Sequence, residues 1–392
     1  MYSVKEISDK LYYIGVNDRR TELFENIFPL TSGISYNSYL LTDDKTVLFD
    51  TVDSSVHSQF MENLEFVLSG KNLDYLIVNH MEPDHASCIK DILLKFPNVT
   101  IVGNAKTFAM INQFFNITIT NQLVVKEGDC LETGSHSLTF VMTPMVHWPE
   151  VMMTYDKTNK TVFSADSFGG FGALDGHLFA DEYDFERDRL DEARRYYTNI
   201  VGKYGPQAVA AINKLANIEK QMICPLHGPI FRNEMIDYFT KKQLLWAKYE
   251  PEVEDGIYIA YASMYGNTES VVNALALKLS SLGKKLKVQN ICNTDKSYLV
   301  SEAFKYGKLI FACPTYTNEI YPAMSSFLKS LKSLDLKNRT VFIIENGTWA
   351  PTAGKQMEEI FASMKNMEVV SKMTIKSALH DETTLNEFIS NI

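Results

Sequence analysis

A change of rhythm near Trp246-Ala-Lys-Tyr-Glu-Pro-Glu-Val-Glu-Asp255 constrains this chain more than any other feature. Before that acidic, Pro251-broken stretch, short β-rich runs dominate, at 38–41, 46–50, 75–78, 100–102, 138–143, 152–155 and 161–164. Turn-like clusters at Thr42-Asp-Asp-Lys45 and Asp156-Lys-Thr-Asn-Lys160 separate several of them, as hairpins require. Helical stretches are expected at 55–69, 85–96 and 186–204. The pattern predicts a mixed α/β region of two sheets covered by helices. After the stretch, apolar strands at 256–261, 285–290, 308–312 and 341–345 alternate with helices at 268–282, after Tyr321 and at 355–365. Such alternation is the mark of a doubly wound parallel sheet. At roughly 100–200 residues per domain, the 392 residues divide into two regions, read as 1–250 and 254–392.

Composition closes off several function classes. A net charge of −10 supplies no basic field for a phosphate backbone, so no nucleic-acid partner is expected. No run approaches the roughly 18 apolar residues needed to cross a bilayer, and the start, Met1 to Lys10, lacks an apolar signal core. The expectation is a cytoplasmic chain without membrane contact. Cys88, Cys130, Cys224, Cys292 and Cys313 form no C-x-x-C pair and are read as buried thiols. Any metal site must then use nitrogen and oxygen ligands.

Val78-Asn-His-Met-Glu-Pro-Asp-His85 offers such a set. His80, Glu82, Asp84 and His85 fall just after an apolar strand, where a short loop lets side chains converge. Taken alone, the motif also reads as a solvated turn in which Asp84 caps a helix. His147, Asp166 and His227 each follow a further apolar run, however, which makes coincidence the poorer explanation. The inventory is four imidazoles, three carboxylates and no thiolate. Hard oxygen donors mixed with imidazole suit iron better than zinc. A carboxylate placed like Asp166 can bridge two metals about 3.5–4 Å apart.

In the second region, Tyr261-Ala-Ser-Met-Tyr-Gly-Asn-Thr268 joins a strand to a helix. Backbone N–H groups and the hydroxyls of Ser263 and Thr268 can wrap a phosphate at the helix N-terminus, and Gly266 permits close approach. The loop is neither G-x-G-x-x-G nor a Walker A sequence. Two later loops, Cys313-Pro-Thr-Tyr-Thr-Asn318 and Glu345-Asn-Gly-Thr-Trp349, follow strands at the carboxyl edge where doubly wound sheets bind ligands. Tyr316 and Trp349 could stack on a planar ring.

The order His80-x-Glu82-x-Asp84-His85, then His147, Asp166 and His227, resembles the metallo-β-lactamase superfamily, an αβ/βα sandwich with a two-metal cleft. Glu82 stands where its hydrolytic members usually carry histidine. The Ser263–Thr268 loop resembles the flavodoxin phosphate loop, which binds FMN. Together the two regions resemble the flavodiiron proteins across essentially the whole chain. Leu23-Phe-Glu-Asn-Ile-Phe-Pro29, Ser35-Tyr-Asn-Ser-Tyr39 and Phe168-Gly-Gly-Phe-Gly-Ala-Leu174 match as well.

The resemblance implies reduction of dioxygen to water, of nitric oxide to nitrous oxide, or both, with electrons delivered through FMN. It implies one iron on His80, Glu82 and His147, a second on Asp84, His85 and His227, and Asp166 bridging them. In some members the histidine at the His85 position turns away and water replaces it. FMN is expected on Ser263, Met264, Tyr265, Gly266, Asn267 and Thr268, on Pro314, Thr315, Tyr316, Thr317 and Asn318, and on Asn346, Gly347, Thr348 and Trp349. No catalytic side chain beyond the metal ligands is implied. Trp148 and the Phe168–Phe171 loop are candidates for excluding water. A head-to-tail homodimer or a dimer of dimers is expected, with rubredoxin, a reductase or a reduced deazaflavin coenzyme as donor. Two rivals stand beside this reading: a two-zinc hydrolase with a regulatory flavodoxin domain, and an electron carrier using FMN alone.

Overall fold

The computed structural model describes all 392 residues, which divide into two compact units. The first comprises Met1–Tyr197 and Pro206–Leu244, the second Thr198–Gly205 and Leu245–Ile392.

The first unit is built on two mixed sheets. One runs in the order Lys5–Ser8, Leu11–Tyr13, Tyr39–Thr42, Thr46–Phe49, Tyr75–Ile77, Thr100–Gly103 and Gln122–Val124. The other runs Cys130–Glu132, Ser137–Met142, Met152–Asp156, Thr161–Phe163, Met222–Cys224 and Phe231–Arg232. Both expected hairpins form, with Thr42 paired to Thr46 and Asp156 to Thr161. Alternation in the strands sends Tyr39, Leu41, Val47, Phe49 and Ile77 into one core with Leu138, Phe140, Met152 and Phe163. Phe49 and Phe163 stack there with centroids 3.7 Å apart. Each such fully buried ring contributes on the order of 1.5–3 kcal/mol.

Two expected helices are interrupted. The stretch 85–96 divides into Pro83–Ala86 and Ile89–Lys95. The cause is Thr51, whose amide and hydroxyl both donate to the His85 carbonyl, at 2.8 and 2.7 Å. That carbonyl is thereby turned from the helix to a neighbouring strand end. The stretch 186–204 breaks at Arg189, where φ is −135°, and its remainder tightens and widens over 197–204. The helices Ala105–Phe115, Gly205–Ala216 and Glu234–Ala247 were not read from the sequence.

The second unit has a five-stranded all-parallel sheet in the order Leu286–Asn290, Val253–Tyr261, Tyr306–Tyr316, Arg339–Asn346 and Met367–Ile375. This 2-1-3-4-5 order is the flavodoxin-like doubly wound arrangement. Its central strands are buried on both faces, which explains their continuous apolar runs. Trp246 and Tyr249 are buried, and the strand already begins at Val253. The uniform reading of the cysteines also fails, since Cys130 and Cys292 are exposed while Cys88, Cys224 and Cys313 are buried. No helix is long and apolar enough to cross a membrane.

Candidate functional site

The seven ligand candidates of the first unit converge at the carboxyl ends of its strands. His80, Glu82, His147 and Asp166 form one group, and Asp84, His85 and His227 a second, with the ligating atoms of each group within 4.8 Å of one another. Asp166 faces both. Its Oδ2 lies 3.1 Å from His147 Nε2 and 3.4 Å from His80 Nε2, while its Oδ1 lies 3.2 Å from His85 Nε2 and 3.9 Å from His227 Nε2. Glu82 Oε2 is 2.9 Å from His147 Nε2, and Asp84 Oδ2 is 3.1 Å from His227 Nε2.

This packing fits metal ions better than any set of protein contacts. Both carboxylate oxygens of Asp84 and Oδ1 of Asp166 are buried without a hydrogen-bond partner, and buried acceptors are rarely left so. His85 Nε2 and His227 Nε2 point at each other across 3.0 Å. Burial disfavours charge on His147, yet the Asp166 and Glu82 carboxylates override it and raise its pKa to about 9. Burial pushes Asp166 up, and the surrounding imidazoles, His85 first, hold it well below the usual range. Asp166 is therefore held as an anion with imidazole nitrogens crowded around it, a disposition that cations stabilise.

In the second unit the three expected loops line one cavity of about 490 Å³. Every expected residue lines it except Gly266 and Tyr316, and Ala350 and Ser377 join the wall. Tyr316 instead sets its ring edge-on to Tyr321, with centroids 6.0 Å apart. Gly266 takes φ +89° just before the helix Asn267–Ser281, turning the chain where a Cβ would be strained. Asn346 Nδ2 donates to Thr268 Oγ1 and to the Ser377 carbonyl, and Ser377 N donates back to Asn346 Oδ1. Hydroxyls and amides thus border a slot beside which Trp349 and Tyr265 lie almost fully exposed, at 88% and 91%. A planar aromatic ligand with a phosphate tail suits such a slot.

Known proteins share this arrangement. A family model described as ODP family beta lactamase matches residues 34–228, and one described as flavodoxin matches 259–388. An uncharacterized protein of Methanocaldococcus jannaschii is 30% identical over 92% of this chain and 90% of its own. The anaerobic nitric oxide reductase flavorubredoxin of Klebsiella pneumoniae is 30% identical over 88% of this chain and 72% of its own. Rubredoxin oxygen:oxidoreductase from Desulfovibrio gigas superposes with a TM-score of 0.92 at 27% identity, covering 99% of this chain and 96% of that one. A flavo di-iron protein variant from Thermotoga maritima gives 0.92 at 26% identity, over 100% and 98%.

The chain belongs to the flavodiiron family. It is an oxidoreductase whose cofactors are FMN and a pair of iron ions.

Around the metal cluster of this flavodiiron protein lies a second layer that sequence reading missed. His80 Nδ1 donates to Glu150 Oε1 at 2.8 Å, an oxygen that also accepts from Met81 N. His227 Nδ1 donates to the Ser35 carbonyl at 2.7 Å. Both contacts leave Nε2 bare toward the cluster, as second-layer acceptors do. Asp50 accepts from Asn79 N, Asn79 Nδ2 and His80 N, fixing the loop. Burial raises its carboxyl to about 6 against those hydrogen bonds. Tyr196 packs on His227 and keeps its proton, because burial and the nearby Asp166, Asp84 and Glu82 carboxylates raise its pKa well above 10. Only Glu150 had a local signal: a carboxylate three residues after His147. Replacing Glu150 by alanine is expected to weaken metal binding roughly 10- to 100-fold, read by calorimetric titration of the metal-free protein, with Glu150→Gln in between.

Proposed function

We propose that this flavodiiron protein reduces dioxygen to water, nitric oxide to nitrous oxide, or both, at a di-iron centre fed through FMN by an external donor. The observation that carries this reading is Asp166, one carboxylate whose two oxygens face two separate groups of imidazole and carboxylate ligands. Glu82 in place of a histidine, and the absence of thiolate, favour iron over a two-zinc hydrolase. In this assignment His80, Glu82 and His147 would hold one iron, Asp84, His85 and His227 the other, with Asp166 placed to serve both. Residues 1–250 form the iron domain and residues 254–392 the flavin domain. FMN rests on Ser263–Thr268, Pro314–Asn318 and Asn346–Trp349, with Ser377 beside them.

When bound, a di-ferrous pair and reduced FMN would supply four electrons, which with four protons from solvent convert one dioxygen to two waters. The protein's own part is placement and exclusion of water. Tyr196 Oη holds its proton against the carboxylates and has no protein partner, leaving it to donate a hydrogen bond into the pocket. Phe24 and Phe171 close the side beside His227 and Tyr196 with apolar rings, and Trp148 sets its edge against His80. A homodimer in which one protomer's FMN serves its partner's irons completes the reading.

The test reduces the purified protein anaerobically and adds stoichiometric dioxygen or nitric oxide in separate runs. Flavin absorbance, iron content and peroxide release are followed together. Two irons and one FMN per chain, fast flavin reoxidation and no peroxide are expected, and the faster gas names the preference. Zinc in the centre would overturn the assignment in favour of a hydrolase, and slow reoxidation with peroxide would favour a simple carrier.

A further inference from the structure

Two segments with little regular structure of their own form the apolar cover beside the metal cluster. Leu23–Phe24 and Phe28–Pro29 pair as an antiparallel ladder of two residues on each side, too short to stand alone in water. Its turn, Glu25-Asn26, is left-handed at both positions, with φ of +50° and +56°, which suits asparagine and strains glutamate. The second segment, residues 168–174, is irregular and carries Gly169, Gly170 and Gly172, the last at φ +103°. Phe24 and Phe171 are nonetheless buried. Their rings meet edge to face with centroids 5.5 Å apart, and Phe24 stands edge-on to His227 at 5.3 Å. Something other than local structure holds these rings in place.

Arg195 joins the two segments. It lies in the last turn of the helix Leu190–Tyr196 and is 1% exposed. Its guanidinium lies over the Phe171 ring, with Cζ 4.4 Å from the centroid, while Nη2 donates to the Pro29 carbonyl at 3.0 Å. Glu192, one turn back on the same helix, accepts from Nε and Nη2 at 3.0 and 2.6 Å and balances the charge. The face of the group thus serves the loop, and its edge serves the hairpin. A planar fork can do both at once, whereas an ammonium acts as a point charge. Packing alone is a weak reason to bury a cation here, since an apolar side chain of similar volume is often as stable. The far end of the loop is gripped in the same manner. Arg189 donates to the Ala173 carbonyl at 2.8 Å and Arg19 to the Leu174 carbonyl at 2.7 Å. We propose that Arg195 is a positioning residue that clasps the hairpin to the loop, keeping the wall of Phe24 and Phe171 shut and the pocket dry beside His227. The inference rests on the gas-reducing reading of the cluster, in which a closed pocket keeps partly reduced oxygen from escaping.

The test uses the full-length protein with its iron and FMN. Hydrogen exchange read by mass spectrometry reports on residues 22–30 and 168–174, and peroxide released per dioxygen reports on the pocket. Arg195→Met keeps the length and the contact with Phe171 but cannot donate to Pro29. Both segments are expected to exchange roughly 10- to 100-fold faster in this variant, the weight of one hydrogen bond from a charged group. Peroxide should appear where wild type releases none, with iron and FMN per chain unchanged. Phe171→Leu loosens the same contact from the loop side and should release peroxide as well. The double variant should add little, because both changes open one contact. If the methionine variant does not fold, Arg195→Lys, which keeps the charge without the fork, is read in the same way. An arginine that merely stabilises its own helix would speed exchange over 190–196 alone. That result, wild-type exchange in either segment, no peroxide, or full additivity in the double variant would each overturn the proposal. Peroxide from the wild-type protein would overturn the gas-reducing reading instead, while the exchange rates of the two segments still decide the clasp.

Discussion

Replacing Asp166 by alanine is expected to abolish gas reduction and two-iron occupancy while FMN stays at one per chain. No other carboxylate of the cluster faces both groups: its oxygens lie 3.1 Å from His147 Nε2 on one side and 3.2 Å from His85 Nε2 on the other. Without it the buried His80, His85, His147 and His227 lose their shared anion, and two cations placed there lose the charge between them. Removing partners one layer further out typically costs 10–100-fold in metal affinity or activity. A shared ligand should cost at least the upper end of that range, about 100-fold. Asp166→Asn keeps the shape but removes the charge, and should fall nearly as far. Iron and flavin per chain, measured beside the reoxidation rate, decide the matter. An alanine variant with two tightly bound irons and the wild-type rate would remove Asp166 from the centre.

The second large effect is on stability and lies in the flavin-binding unit. Arg339 is a buried cation, 2% exposed, whose guanidinium donates to main-chain carbonyls of Tyr249, Ala303, Phe304, Lys337 and Asn338, at 2.6–3.2 Å. Burial lowers its pKa to about 10, and Glu254 offsets only part of that. Ala303 and Phe304 belong to the last turn of the helix Lys296–Lys305, where the carbonyls lack helical partners and the dipole favours a cation. Arg339→Met would leave several of these acceptors buried and unpaired, at about 1–3 kcal/mol for each group that cannot reach water. A loss of about 3–5 kcal/mol is expected for unfolding of this unit, read by denaturant titration of flavin fluorescence. Arg339→Lys should recover little, since a single ammonium cannot span the same fork of acceptors. Wild-type unfolding in the methionine variant would show that these carbonyls find other partners.

Both predictions turn on contacts that the sequence reading reached unequally. His80, Glu82, Asp84 and His85 were legible because they share six residues after one apolar strand, so local geometry alone brings them close. The Ser263–Thr268 loop was legible for the same reason, with Gly266 marking the turn. His147, Asp166 and His227 could be listed as strand-end residues, but their convergence depends on strand pairing, such as Thr161–Phe163 lying parallel to Met222–Cys224. The contacts of Glu150, Asp50, Ser35 and Tyr196 with the cluster were not legible because each acts through a partner distant in the chain, as His80 and Glu150 do across 70 residues. Tyr316 departs from its loop neighbours: Thr315, Thr317 and Asn318 line the cavity, while its ring stands edge-on to Tyr321.

The helix expected over 85–96 shows how far local pattern reaches. Its periodicity was sound, but Thr51, more than thirty positions earlier, takes the His85 carbonyl and breaks it. Residue type and short spacing act within a turn or two of backbone. They determined the chemistry on offer here: imidazole and carboxylate without thiolate, a phosphate loop, and two kinds of sheet. Which oxygen of Asp166 meets which imidazole, and which carbonyls Arg339 gathers, was decided only when the sheets closed. Those contacts join residues whose separation along the chain carries no trace of their proximity in space.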